Sequence, residues 1–186
     1  MSPVLALRDC ASALPPRGVP DARPVSRDAF VAAMARAATG VWILATDGPS
    51  GRTALTVSAV SSVSAEPPMV LACVNRRSLA RDAVLDAGCF SLSLLTDEHA
   101  ALADVFAGRP AEGEPFDFAR AEWTTAVTGA PVLAHGAAHF DCVLSSSVEA
   151  GTHTILIGTV VSAARAEGSP LAHTDRRYAR VVPLGQ

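Results

Sequence analysis

Apolar and β-branched residues fall along this chain in short runs separated by turn residues, a pattern of strands more than of long helices. Val41-Trp42-Ile43-Leu44-Ala45-Thr46 predicts a strand, and Asp47-Gly48-Pro49-Ser50-Gly51 turns it back. The next strand is expected over about Thr53 to Ser64, stopped by Pro67-Pro68 and followed by another over Met69 to Val74. Twelve residues are long for one strand, so a bend or bulge is expected inside it. Cys89 to Leu95 predicts a further strand. Ala137 to Val148 and Thr154 to Ala164 read as a hairpin closed by Glu149-Ala150-Gly151-Thr152-His153, with His153 at the root of its returning strand. Pro170 to Val182 ends the chain as short extended pieces around a polar turn.

Three segments carry the helical period instead. Ser26 is the expected N-cap of a helix over Arg27 to Ala38, with Phe30 and Met34 at helical spacing and Gly40 beyond its end. Ser78 caps a short helix to about Leu85, ended by Gly88. Thr96, Asp97 and Glu98 open a third, carried by Leu102, Val105 and Phe106 and ended by Gly108. Residues 109–121, RPAEGEPFDFARA, form an acidic excursion with Pro and Gly, expected to be a mobile flap. Residues 1–25 hold Pro3, Pro15, Pro16, Pro20 and Pro24 without periodicity, and are expected to be a flexible arm ahead of one domain over 26–186. The sum predicts an all-β core, an antiparallel meander or Greek key, with peripheral helices, most simply a small barrel.

The run from Thr53 to Ser64 is dense in hydroxyls: Thr53, Thr56, Ser58, Ser61, Ser62 and Ser64. Small hydroxyl side chains let another molecule approach the backbone and supply short donors, although each taken singly also suits a turn or cap role. Ser58, Ser62, Asn75 and Ser78 together are candidates to hold a phosphate, helped by the dipole of the helix after Ser78.

Composition narrows the functional classes. Hydrophobic residues make up 49 % of 186 and aromatics only 5 %, so Ala and Val carry much of the core and part of the apolar surface is expected between subunits. A net charge of −3 gives no general field for nucleic acid or an anionic membrane. Arg76-Arg77 and Arg176-Arg177 are local pairs that suit an anionic ligand or plain solvated surface. Cys10, Cys73, Cys89 and Cys142 form no CxxC, which predicts reduced thiols and a cytoplasmic protein. No signal peptide and no membrane span are expected. His135 and His139 lie four apart, but Pro131 and Gly136 argue against a helix that would align them on a metal. Neither GxGxxG nor GxxxxGK[ST] nor GxSxG occurs, so any nicotinamide or flavin must bind outside a Rossmann unit and no hydrolase triad is indicated.

Several separated segments carry a resemblance. They are Met34-Ala35-Arg36, Thr39 to Gly48, Leu55 to Ser64, Pro67-Pro68, Cys73-Val74-Asn75-Arg76-Arg77-Ser78, Phe90 to Leu95, and Phe106-Ala107-Gly108. Trp123, Gly129 to Leu133, Gly151-Thr152-His153 and Asp175-Arg176-Arg177-Tyr178 follow. In this order the chain resembles the flavin reductase family with the FMN-binding split-barrel fold, the reductase partners of two-component flavin monooxygenases. It is similar in wording to the reductase component of 4-hydroxyphenylacetate 3-monooxygenase. One departure is Ala54-Leu55, where many relatives have Gly.

The resemblance implies an NAD(P)H:flavin oxidoreductase that reduces FMN or FAD, with NADH favoured over NADPH, and passes reduced flavin to a separate monooxygenase. It implies a homodimer with both subunits bordering each site. The implied cofactor-binding set is Thr46, Thr56, Val57, Ser58, Ser62, Cys73, Asn75, Ser78, Leu79, Phe106, His153 and Tyr178. His153 is also the expected catalytic residue, beside the stacked nicotinamide. The alternatives are a split-barrel protein that carries flavin without turning it over, and a pyridoxamine-phosphate oxidase-like enzyme. The Gly-Thr-His hairpin argues against the latter.

Overall fold

The computed structural model describes residues 23–185, so nearly all of the expected arm lies outside the described residues. The strands are β1 (Thr39–Gly40), β2 (Trp42–Thr46), β3 (Thr53–Val57), β4 (Val60–Ala65), β5 (Pro68–Asn75) and β6 (Cys89–Leu94). β7 (Trp123–Thr125), β8 (Pro131–Leu133), β9 (Ala138–Ala150), β10 (His153–Arg165), β11 (Leu171–Thr174) and β12 (Arg177–Arg180) complete them. The helices are α1 (Arg27–Met34), α2 (Leu79–Ala87) and α3 (Ala100–Phe106). This is the expected β core with outer helices.

Seven strands form one antiparallel sheet in the order β3-β2-β6-β9-β10-β5-β4. Its two edge strands, β3 and β4, are consecutive in the chain and separated only by Ser58-Ala59. Two residues cannot span a flat seven-strand sheet, whose neighbours lie about 4.8 Å apart. The sheet therefore curls until its edges meet, and since no ladder joins β3 to β4 the barrel stays split along that seam. The single strand expected over Thr53 to Ser64 is thus two, broken at Ser58-Ala59, with a further irregularity where Val63 is skipped between the Ser62 and Ser64 pairings.

Two apolar clusters fill the interior. One, inside the curl, joins Leu44, Val57, Val70, Ala72, Val74, Val84, Phe90, Leu92, Cys142 and Leu156. The other lies under α3 and gathers Val41, Ile43, Leu95, Leu102, Val105, Phe106, Leu133 and Leu171. β10 bends across the first, where a Cβ on Gly158 would stand 2.7 Å from Phe90 Cζ and 2.8 Å from Cys142 Cβ. The bulge between Ile157 and Gly158 falls at this close approach.

α1 stops at Met34, short of the expected Ala38, and buries none of its residues. Its Phe30 and Met34 are exposed. α2 ends as expected, on Gly88 in the left-handed conformation. Burial raises the thiol pKa of Cys73 and pushes Cys142 up to about 12, so both stay protonated at neutral pH. Among the described residues no helix is long and apolar enough to cross a membrane.

Candidate functional site

The free edge of β3 is the centre of the site. Among the described residues β3 pairs only with β2, so every second residue turns its N–H and C=O away from the sheet. Helices α2 and α3 both pack against β3 and β2, and hollows open at both ends of β3. At its C-terminal end Thr56, Val57 and Ser58 face Arg109, His173 and Tyr178 across a cavity of about 180 Å³. At its N-terminal end Thr53, Ala54 and Leu55 meet Arg77, Ser78, Leu79 and Phe116 around a cavity of about 340 Å³. A third hollow, of about 550 Å³, lies between Asn75-Arg76-Arg77 and Gly151-Thr152. Arg77 borders the second and third hollows alike.

Each hollow has its own electrostatics. In the first, the Tyr178 hydroxyl donates to Asp104 Oδ1 at 2.8 Å, and Arg109 Nε lies 3.3 Å from the same oxygen. Burial, with Asp104 alongside, raises the phenol pKa and keeps it neutral. His173 stands across the β11–β12 ladder with its ring edge on Tyr178. That two-residue hairpin turns through Asp175 and Arg176, both at positive φ, and so fixes where Tyr178 points.

In the second hollow, Ser78 is the N-cap of α2 but its hydroxyl makes no capping bond. The hydroxyl and the first N–H groups of α2 are thus available to an anion, with the Arg77 cation next to them. In the third, Asn75 Oδ1 accepts from Arg77 N at 2.9 Å, closing the turn between β5 and α2. Glu149 ties α2 to the β9–β10 hairpin: its Oε1 takes Arg81 Nη2 at 2.6 Å and the Thr154 hydroxyl at 2.9 Å. Its Oε2 pairs with Arg76 Nε at 2.5 Å. Hydrogen bonds from Arg81 first, and Thr154 next, hold its carboxyl below the usual range. His153 is exposed and stands opposite Asn75 on the neighbouring strand. Its Nδ1 engages the Thr152 hydroxyl at 2.9 Å, which leaves Nε2 for another group.

Most residues singled out from the sequence therefore lie along one track. Thr56, Val57 and Ser58 share the first hollow with Tyr178, Ser78 and Leu79 share the second, and Asn75 opens the third beside His153. Ser62 lies exposed on β4, and Cys73 is half-buried on β5, where its N–H donates to Ala59 O just before β4, extending the β4–β5 pairing by one residue. Two residues of the expected set have side chains that face away from the hollows. Thr46 is fully buried and its hydroxyl donates to Cys89 O at 2.8 Å, so that side chain is spent on the core. Phe106 is 1 % exposed and packs edge-on against Phe118 and Trp123. Both point inward because their strand and helix bury that face. The Thr56 hydroxyl is likewise engaged, donating to Ala103 O at 2.7 Å, and only its main chain and methyl are left for a ligand.

Arg109, Phe116 and His173 line the hollows without having been singled out. An aromatic inside the acidic excursion and a histidine paired with Tyr178 across a predicted turn were the available signals.

The flavin reductase like domain model matches residues 34–181. The chain belongs to that family. Among its relatives is the FMN reductase (NADH) RutF of Ancylobacter novellus, 41 % identical over 89 % of this chain and 91 % of that protein. The protein of the same name from Stutzerimonas stutzeri is 40 % identical over 83 % and 88 %. Of solved structures, BorF, the flavin reductase component of a bacterial two-component tryptophan halogenase, superposes with a TM-score of 0.76 at 28 % identity, over 86 % of this chain and all of that one. The NADH:FAD oxidoreductase SgcE6 of Streptomyces globisporus, in complex with NAD and FAD fragments, gives 0.75 at 26 % over 87 % and 98 %. The split barrel is thus the family's fold, and the β3 edge lies inside the matched region.

A flavin fits these residues. Its ring needs main-chain donors and acceptors along one edge, its phosphate needs donors and positive charge, and its faces need apolar walls. The β3 edge, the Arg77-Ser78 pair and the Leu55, Leu79 and Phe116 side chains meet those three needs side by side.

Proposed function

We propose that this protein is an NADH-dependent flavin reductase that supplies reduced flavin to a separate monooxygenase. The observation that carries the reading is the unpaired edge of β3 flanked by the open N-terminus of α2, within a member of the flavin reductase like domain family. When bound, the flavin supplies the ring nitrogen that accepts a hydride from the nicotinamide C4. The protein's part is to orient. Thr56 to Ser58 present main chain to the pyrimidine edge, and Arg77 with Ser78 takes the phosphate. Tyr178, held by Asp104, closes the first hollow. His153 steadies the nicotinamide carboxamide through Nε2, so that the two rings meet in a reactive geometry. Such chemistry asks no nucleophile of the chain.

Likeness to the reductases named FMN reductase (NADH) supports FMN first and FAD second, with NADH ahead of NADPH. A homodimer accounts for the apolar residues left open on α1, Phe30 and Met34, and on the long hairpin, Val143 and Val161. Residues 26–186 act as one domain with 1–25 as an appended arm, and the reduced thiols suit the cytoplasm.

Purified protein mixed with NADH and FMN is expected to consume NADH, followed at the nicotinamide absorbance band, only when flavin is present. No flavin-dependent loss overturns the reading, and flavin binding without NADH loss would make the protein a carrier instead. His153→Ala is expected to raise KM for NADH about five- to tenfold, the worth of one hydrogen bond. KM for FMN should stay within about twofold. Unchanged NADH kinetics remove His153 from the site.

A further inference from the structure

The excursion at 109–121 contains a large aromatic in an unusual setting. Phe116 has φ +60°, a left-handed conformation that costs a non-glycine residue energy and that bulky side chains rarely adopt. The chain on either side is pinned. Phe116 N donates to Val105 O at 3.1 Å at the end of α3. Two residues on, Phe118 packs against Phe106 and Trp123, and Trp123 Nε1 donates to Phe118 O at 3.0 Å. The expected mobile flap is therefore anchored at its far end.

The ring of Phe116 lies over Gly108, where a Cβ would stand 3.0 Å from its Cζ. A glycine there seats the ring against the end of α3. Despite this anchoring Phe116 is 50 % exposed, and it lines the second hollow together with Ala54, Leu55 and Leu79. Leu79 is itself 83 % exposed. Strain held in place by packing, with the strained side chain left in water over a cavity, buys nothing for the fold alone.

We propose that Phe116 is a flavin-binding residue: its ring forms an apolar wall against a planar ring system of the flavin, next to the Arg77-Ser78 phosphate site. This rests on the flavin reductase reading and adds to it a contact from a segment outside the barrel. The planar group is the isoalloxazine common to all flavins or the adenine of FAD, and the stacking chemistry is the same for both.

Flavin binding is measured by fluorescence quenching with riboflavin, FMN and FAD, alongside apoprotein Tm, for wild type, Phe116→Gly, Phe116→Leu and Phe116→Tyr. Phe116→Gly removes the strain and the ring together, so its Tm is expected at or above wild type while flavin Kd rises about tenfold. Phe116→Leu keeps bulk over Gly108 without a flat face and weakens flavin similarly, whereas Phe116→Tyr retains wild-type affinity. Loss with all three flavins identifies isoalloxazine as the stacked ring, and loss with FAD alone identifies adenine. If wild type binds flavin and the Gly and Leu variants bind all three equally well, the assignment of Phe116 is overturned. If wild type binds none, the flavin reading itself falls.

Discussion

The two edge strands of the sheet make an instructive pair. β3 and β4 are consecutive, similarly rich in Thr and Ser, and placed at opposite ends of the same sheet. Yet β3 lies beneath α2 and α3, with Ala54 and Val57 buried, while β4 has no buried residue. The hydroxyls differ accordingly. Thr56 on β3 donates to a carbonyl of α3, whereas Ser61 on β4 reaches only the neighbouring Ser62 O, and Ser62 is exposed. A hydroxyl-rich run therefore has two meanings within twelve residues. On β3 one hydroxyl ties down α3 beside a cleft, and on β4 the hydroxyls keep a sheet edge polar, one way to discourage edge-to-edge aggregation.

Truncating one valine on each strand tests the contrast most strongly. Val57 is 6 % exposed inside the barrel cluster, and Val63 is 47 % exposed on β4. Val57→Ala is expected to cost about 2 kcal/mol through lost transfer energy and an unfilled cavity. Val63→Ala should cost under about 0.5 kcal/mol. Chemical denaturation reads both, and equal losses would mean that β4 is covered as β3 is.

A smaller effect separates the hydroxyls themselves. Thr56→Val keeps the shape and removes the bond to Ala103 O, which retains the N–H of Ala107 as a partner. The expected loss is about 1 kcal/mol. Ser62→Ala should leave stability within about 0.5 kcal/mol. A Thr56→Val protein as stable as wild type would show that α3 docks on apolar contact alone.

The strands that could be read from the sequence were those whose partners hardly matter. The β9–β10 hairpin and β5 show strong runs bounded by turn residues, and they form close to where their patterns place them. The length of Thr53 to Ser64 called for a bend or bulge, as found, but not for its place, because what breaks the run at Ser58-Ala59 is the closure of the sheet, a distant property with no local residue such as Pro to announce it. The same holds for the site. Ser58, Ser78, Asn75 and His153 lie at element ends, where cap and turn chemistry marks them in one dimension. Thr46 and Phe106 matched the family's wording equally well, yet facing is decided by which side of a strand or helix is covered. Arg109 and Phe116 come from an irregular segment without periodicity, so only folding brings them to the cleft. The helical spacing of Phe30 and Met34 was legible, but among the described residues nothing buries any residue of α1.

The smallest expected change in stability belongs to Ser78, and it separates a structural hydroxyl from a binding one. An N-cap serine normally contributes about 1 kcal/mol by accepting a bond from the first turn. Here that bond is missing, so Ser78→Ala should shift stability by less than about 0.5 kcal/mol. If the hydroxyl instead holds a flavin phosphate, the same substitution should raise Kd for FMN about five- to tenfold and leave riboflavin, which has no phosphate, unaffected. Equal weakening of both flavins would put the phosphate elsewhere. A stability loss near 1 kcal/mol with no change in FMN binding would return Ser78 to an ordinary cap, and the open end of α2 would then resemble β4: polar, exposed and without a ligand.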